Sequence, residues 1–316
     1  MNPQGKFHAL LATSRIANVP SVVSNVWLGV AVAVLSGAWS SIENPGLAAA
    51  RLALAGVSIY VAGNFLNDWM DRVWDAAHRP ERALPRGQFS PALYLGVAVG
   101  GSVLGLSLAA ATSMAAGVVA LGIVGAVIIY TIWHKRSPLS VIAMGLCRAL
   151  LPIMGASGVS GASGNPMQVH SGVLILTAIC ALGLFSHVVG LSLSARSESL
   201  ATPPTGVSRL AKMMFGIALA ATAWVGWRQS GAWNLAIVGG LPYAVWIILS
   251  LSIWRKPVPV HVSRLLAGIP LVDWAVLLPV ALAIGMTRDP FGLACFGIPP
   301  LAFVLALLLQ RVAPAT

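Results

Sequence analysis

The sequence predicts an all-α, polytopic membrane bundle of nine to ten transmembrane helices around a central cavity, and three observations point there. Of 316 residues, 58% are hydrophobic and only 9% are charged, against roughly 25% charged in an ordinary soluble domain. Apolar stretches of the length a bilayer crossing needs, about 20 residues, recur down the whole chain. Lys and Arg cluster in alternate loops, the pattern left by helices that cross back and forth. So few charges cannot cover the surface of a water-soluble protein of this size, and a chain this apolar is not disordered. Residues 1–316 read as a single integral-membrane domain.

The elements follow in order. The polar segment 1–17 carries no cleavable-signal pattern, so the first apolar run is read as a first span. Spans are predicted near 18–38, 48–66, 92–112, 115–133, 138–158, 171–193, 209–227, 232–253, 264–286 and 291–310. Small residues, as in "GVAVGGSVLG" (96–105), let helices pack closely where no hydrophobic driving force operates between them. Several spans contain Pro or Gly, which membrane helices tolerate when neighbours satisfy the freed backbone. Cys147, Cys180 and Cys295 lie in apolar stretches without a CxxC, so neither a disulfide framework nor a zinc site is suggested.

The chain has 19 Lys and Arg against eight Asp and Glu, a net charge of +11. In a soluble protein that would suggest nucleic acid. Here it sets orientation instead, and nucleic acid is not an expected partner. One face carries Lys6, Arg15, Arg72, Arg79, Arg82, Arg86, Lys135, Arg136, Arg196, Arg209, Lys212, Arg255, Lys256, Arg264 and Arg311. The other carries only Arg51, Arg228 and Arg288. The basic face is expected in the cytoplasm.

The acids are more telling. Asp68, Asp71 and Asp75 fall within eight residues where span 2 emerges on the basic face. Spacings of three and seven put them on one helical stripe, with Asn64 a turn earlier. One reading is a solvated interfacial turn neutralised by Arg72, Arg79 and Arg82. The other is a site for Mg²⁺, which prefers oxygen ligands and commonly bridges to phosphates, with arginines clamping the phosphate oxygens bidentately.

The run Asn67-Asp68-x-x-Asp71-x-x-x-Asp75 resembles the N-D-x-x-D-x-x-x-D motif of the UbiA superfamily of intramembrane prenyltransferases. "HRPERALPRG" (78–87) is similar to that family's continuation, with Ala83 and Arg86 as departures. "ATSRIANVPSVVSNVWLGV" (12–30) resembles its first span, and "IIYTIWHKRSPLSVIAMGLCRALLPIMGA" (128–156) its span 4–5 region. "ATPPTG" (201–206) resembles the segment after its second acid motif. The resemblance implies transfer of a prenyl group from a prenyl diphosphate to a lipophilic, often aromatic acceptor, within the membrane lipid and with Mg²⁺ as cofactor. It implies that Asp68, Asp71 and Asp75 hold metal. Asn67, Arg72, Arg82 and Lys135 would contact diphosphate, Asn64 would support them, Arg148 would enter the polar end of the cavity, and Tyr130 would flank the reacting carbon.

The second acid motif departs from the family. The stretch "GLSLSARSESLATPPTG" (190–206) has no aspartate, only Arg196 and Glu198 among serines. In one reading Arg196 binds the diphosphate in place of a second metal, assisted by Glu198 or serine hydroxyls. In the other, catalysis is lost and the fold is a lipid-binding or transport-associated protein. A transporter would show repeated halves with broken helices at midplane, and no such repeat is visible. A CDP-alcohol phosphotransferase is excluded because no Asp-Gly occurs.

Four further residues carry two readings each. Arg148 within span 5 is either functional or displaced toward the interface. Asn25 either touches the acceptor or bonds a neighbouring helix. Asp273 either completes the cavity floor or pairs with Arg264. His187 reads as a packed histidine rather than a base. Trp69 and Trp74 read as interfacial anchors.

Overall fold

The computed structural model describes residues 3–38, 45–160, 171–198, 205–254, 257–285 and 290–313. Helix α1 (Pro3–Thr13) leads through a short 3₁₀ turn (Ile16–Asn18) into α2 (Val19–Ala33). Then follow α3 (Pro45–His78), α4 (Pro91–Thr112), α5 (Met114–Trp133), α6 (Ser140–Ser160), α7 (Ser171–Glu198) and α8 (Thr205–Ser230). The chain ends in α9 (Trp233–Ser252), α10 (Val258–Ala267), α11 (Ile269–Ile284) and α12 (Pro290–Leu309). Among the described residues ten helical segments are long and apolar enough to cross a membrane. Each coincides with one of the ten spans read from the sequence, and no strand occurs among the described residues. The exposed surface of these helices is apolar, with Val99, Val118, Leu121, Ile237, Ile248 and Leu301 all facing outward. That is the surface a lipid-facing bundle presents.

Two helix ends differ from the hydropathy reading, each for a local reason. Span 2 was expected to close near residue 66, where polarity rises. Instead α3 runs 34 residues to His78, because nothing breaks it before Pro80, which disfavours the helical region for the residue before it. All three aspartates therefore sit on regular helix. The ninth candidate span divides into α10 and α11 at Gly268, where Pro270 removes a backbone donor from the ladder.

The bundle has two halves that share α2. One core packs Val22, Val26 and Val30 of α2 against Leu52, Ile59, Ile123, Leu151 and Met154 of α3, α5 and α6. The other packs Leu28, Ala31 and Val32 of α2 against Leu184, Val188, Phe215, Tyr243, Val272 and Val276 of α7 to α9 and α11. Helices α2 and α6 meet backbone to backbone. A Cβ on Gly29 would lie 1.8 Å from the Pro152 carbonyl oxygen, and one on Gly155 would lie 2.2 Å from that of Val26. Only glycine permits that approach, and it brings the polar side chains of α2 and α6 within bonding reach of each other.

Candidate functional site: an arginine-walled cavity

A cavity of about 480 Å³ lies where the two halves meet. Its wall is mostly apolar: Ile59 and Val127 on one side, Leu151 and Met144 on a second, Val188, Leu191, Leu266 and Ile269 on a third. Its polar wall contains Arg15, Arg79, Arg82, Arg148 and Arg196 with Asn18, Asn64, Asn67, Tyr60 and Tyr130, and among the described residues no acidic side chain. Guanidiniums beside an apolar wall are costly without a counter-charge, so their partners decide what the site does.

The carboxylates stand behind the arginines. Arg82, in the irregular segment after α3, bonds Asp75 at 2.8 Å and Asp68 at 3.3 Å. Asp75 is 2% exposed. That segment is held down by Leu84, which packs against Phe65, Tyr94 and Ala98, and Ser90 caps α4 by accepting from the Leu93 N–H. Asp71, on the same stripe of α3, turns toward the α5–α6 connection. There Lys135 reaches it at 2.7 Å and His134 Nε2 at 3.1 Å. Asn67 Nδ2 also donates to Asp71, while Asn67 Oδ1 is buried with no partner. Among the described residues no three His, Cys, Asp or Glu side chains converge as a ready-made metal cluster, because each carboxylate is matched by a cation. The donor set nevertheless suits a hard cation: all oxygen, with one buried amide oxygen left unpartnered.

Arg15 is a site residue that the sequence reading used only for orientation. It is the one non-glycine residue with positive φ among those described, at 46°. Its guanidinium bonds Asn64 Oδ1 and lies 3.8 Å from Asp68, and Asn64 Nδ2 donates back to the Ser14 carbonyl. The left-handed bend thus turns Arg15 into the cavity, and strained backbone of this kind concentrates at functional sites. His134 was missed as well. It stacks on Tyr130 at 5.2 Å, with Nδ1 facing the Thr131 carbonyl and Nε2 facing Asp71, both acceptors for its ring N–H. No pattern in the sequence singles out either residue.

Other expected residues divide. Asn64, Asn67, Arg82, Arg148, Arg196 and Tyr130 line the cavity. Arg196 donates to Ser140 Oγ at 2.9 Å and to the His134 carbonyl, joining the end of α7 to the α5–α6 turn. Arg72 points away, bonding the Trp69 carbonyl and stacking over that ring at 4.5 Å. Lys135 sits outside the wall, bound to Asp71 and over the Trp74 ring at 3.9 Å. Neither Trp69 nor Trp74 lines the cavity. Glu198 closes α7, and its side chain lies outside the described residues, as does most of "ATPPTG". Asn25 is fully buried behind Arg148 and bonds Asp273. Asp273 takes hydrogen bonds from Ser24 and Asn25 and does not pair with Arg264. His187 is fully partnered by Tyr243 and the Leu265 carbonyl, a structural role as expected.

Fold and site together define a multi-pass membrane protein with a cavity lined by arginines on one wall and by apolar side chains on the others. The model of the UbiA prenyltransferase family matches residues 25–272, and the chain belongs to that family. Protoheme IX farnesyltransferase of Methylorubrum populi is 32% identical over 217 residues, 63% of this chain and 65% of that protein. Digeranylgeranylglyceryl phosphate synthase of Pyrococcus abyssi is 37% identical over 115 residues, 34% of this chain and 41% of that one. The chain thus spans less than two thirds of the length of these curated relatives. A UbiA homolog from Aeropyrum pernix K1, solved in its apo form, has the same fold, with a TM-score of 0.62 at 18% identity over 83% of this chain and 96% of that one.

Proposed function

We propose that the protein transfers a prenyl group from a prenyl diphosphate to a lipophilic, aromatic acceptor, on the cytoplasmic side of the membrane. One observation carries this reading: a cavity whose polar wall holds five arginines and, among the described residues, no carboxylate, and whose remaining wall is apolar. A prenyl diphosphate has that same division, an anionic head on an apolar chain. The family membership and the names of the relatives support prenyl transfer, and the arginine-rich face supports the cytoplasmic orientation.

In this reading Arg15, Arg79, Arg82 and Arg196 bind the diphosphate oxygens. Guanidinium forks match phosphate geometry, and charge-assisted bonds are about twice as strong as neutral ones. Asp68 and Asp75 orient Arg82, and Asn64 orients Arg15. The residues that would hold Mg²⁺ are Asp68, Asp71 and Asp75 with Asn67 Oδ1; in this structure those carboxylates are taken up by Arg82, His134 and Lys135. A cation there would neutralise charge gathering on the leaving diphosphate. Lys135 and His134 hold Asp71 in place. As the allylic C–O bond breaks, the arginines stabilise the departing diphosphate and Tyr130 flanks the electron-poor carbon that the acceptor captures. Arg196, lying in the wall where the family's second acid motif is missing, supplies part of a metal's electrostatic role.

The test is a transfer assay on the full chain in detergent, with Mg²⁺, labelled prenyl diphosphates of several lengths and a panel of phenols. Prenylated product and released pyrophosphate are expected, and both should fall sharply in Asp68→Ala and Asp71→Ala. Binding of prenyl diphosphate without turnover would favour the lipid-binding alternative, and unchanged turnover in both variants would reject the mechanism.

A further inference from the structure

The cavity has two polar ends. At one end Arg15 and Arg82 meet Asp68 of α3, and Arg196 bonds Ser140 at the start of α6. Arg148 stands eight residues beyond Ser140 on the same helix, a rise of about 12 Å at 1.5 Å per residue, with its guanidinium 5.2 Å over the Tyr60 ring, whose hydroxyl donates to the Arg15 carbonyl. Arg148 is 8% exposed and lines the cavity. Its Nη1 donates to Ser21 Oγ at 2.9 Å and Asn25 Oδ1 at 3.3 Å. Asn25 Nδ2 then donates to Asp273 Oδ2 at 2.8 Å, and Ser24 Oγ donates to the same oxygen. Asp273 is fully buried, and its Oδ1 has no partner. A carboxylate is rarely placed so deep in a bundle, and this one touches no diphosphate-binding residue.

We propose that Asp273 sets the specificity of a second, inner subsite: it balances Arg148 through Asn25, so that this end of the cavity takes a neutral oxygen of the acceptor, a phenol, hydroxyl or carbonyl, and rejects an anionic one. The inference rests on the transfer reading for the ligand's role as acceptor. Its physical basis is charge accounting. A buried arginine alone would draw an anion strongly. With Asp273 ionised the inner end is neutral, and an added anion would leave it with a net negative charge that the low-dielectric interior penalises. The guanidinium N–H groups not used by Ser21 and Asn25 still need an acceptor, and a neutral oxygen meets that need without added charge. Specificity then comes from what is penalised as much as from what is bound.

Two matched probes test this on the full chain in nanodiscs: 4-octylphenol, neutral at pH 7.5, and 4-octylbenzoate, an anion. Inorganic pyrophosphate at saturation occupies the outer arginines. Arg148→Met gives the baseline for partition into lipid. Over that baseline the unmodified protein should favour octylphenol about tenfold, and Asp273→Asn, which keeps both hydrogen bonds but removes the charge, should reverse the preference toward octylbenzoate. Asn25→Ala, which unties Arg148 while keeping the carboxylate, should weaken octylphenol without any gain for octylbenzoate. If Asp273→Asn does not fold, Asn25→Ala decides alone. Equal shifts for both probes in Asp273→Asn, or octylphenol affinity unchanged by Asn25→Ala or Arg148→Met, overturn the proposal. Pyrophosphate affinity measured in the same samples reports separately on the outer arginines, so its failure would count against the transfer reading and not against the inner subsite.

Discussion

Arg82 holds the site together and binds its ligand, so replacing it should show two separable effects. In Arg82→Gln, Asp75 and Asp68 lose a partner at 2.8 and 3.3 Å. Breaking a buried pair from one side costs about 3–5 kcal/mol. The Arg82 side chain is itself 22% exposed, so the lower end applies, about 3 kcal/mol, or on the order of 5 °C in Tm. Adding Asp75→Asn removes the stranded charge and should recover most of that loss. Pyrophosphate binding should not recover: a lost charge-assisted bond of about 1.5–3 kcal/mol weakens affinity about 10- to 100-fold in both variants. Tryptophan-fluorescence melting and pyrophosphate titration in detergent measure the two effects on the same samples. Pyrophosphate affinity restored by Asp75→Asn would mean that Arg82 acts only as a structural counter-ion, and the assignment of the arginine wall would be wrong.

Three further outcomes are expected. Gly155→Ala places a Cβ 2.2 Å from the Val26 carbonyl oxygen and should destabilise the bundle by about 1–3 kcal/mol, visible as a lower melting temperature, whereas Gly216→Ala, with open space at its Cβ, should leave it unchanged. Arg15→Gly keeps a residue suited to the left-handed bend while deleting the guanidinium that bonds Asn64 and faces Asp68, so pyrophosphate affinity should fall about tenfold, the effect of one charge-assisted bond, together with a lower melting temperature. Lys135→Met strands Asp71 on one side and should lower turnover more than pyrophosphate affinity, because Lys135 lies outside the cavity wall; an affinity loss as large as that of Arg82→Gln would contradict its placement.

The helices were legible because burial in lipid imposes one strong, repeated requirement, an apolar run of fixed length, and the chain meets it ten times. The α3 stripe was legible for the same reason: helical periodicity places Asp68, Asp71 and Asp75 on one face whatever surrounds them. Their partners were not. Arg82 is seven residues from Asp75, in the irregular segment after α3, and Lys135 and His134 reach Asp71 from the α5–α6 connection, so the division of the acids between two sets of cations depends on tertiary packing. Arg72 sits beside Asp71 in sequence and therefore looked like a ligand contact, yet its position on the helix turns it to Trp69. Arg15 enters the cavity through a left-handed backbone turn that no local motif announces. Asp273 and Asn25 are 248 residues apart, joined only by the packing of α2 against α11.

The most direct test of the account is the structure of the full chain with Mg²⁺ and a prenyl thiolodiphosphate that cannot react. The account predicts diphosphate density among Arg15, Arg82 and Arg196, with the prenyl chain against Ile59, Val127 and Leu151. Diphosphate bound elsewhere, or the arginine wall left without ligand at saturating analogue, would contradict it.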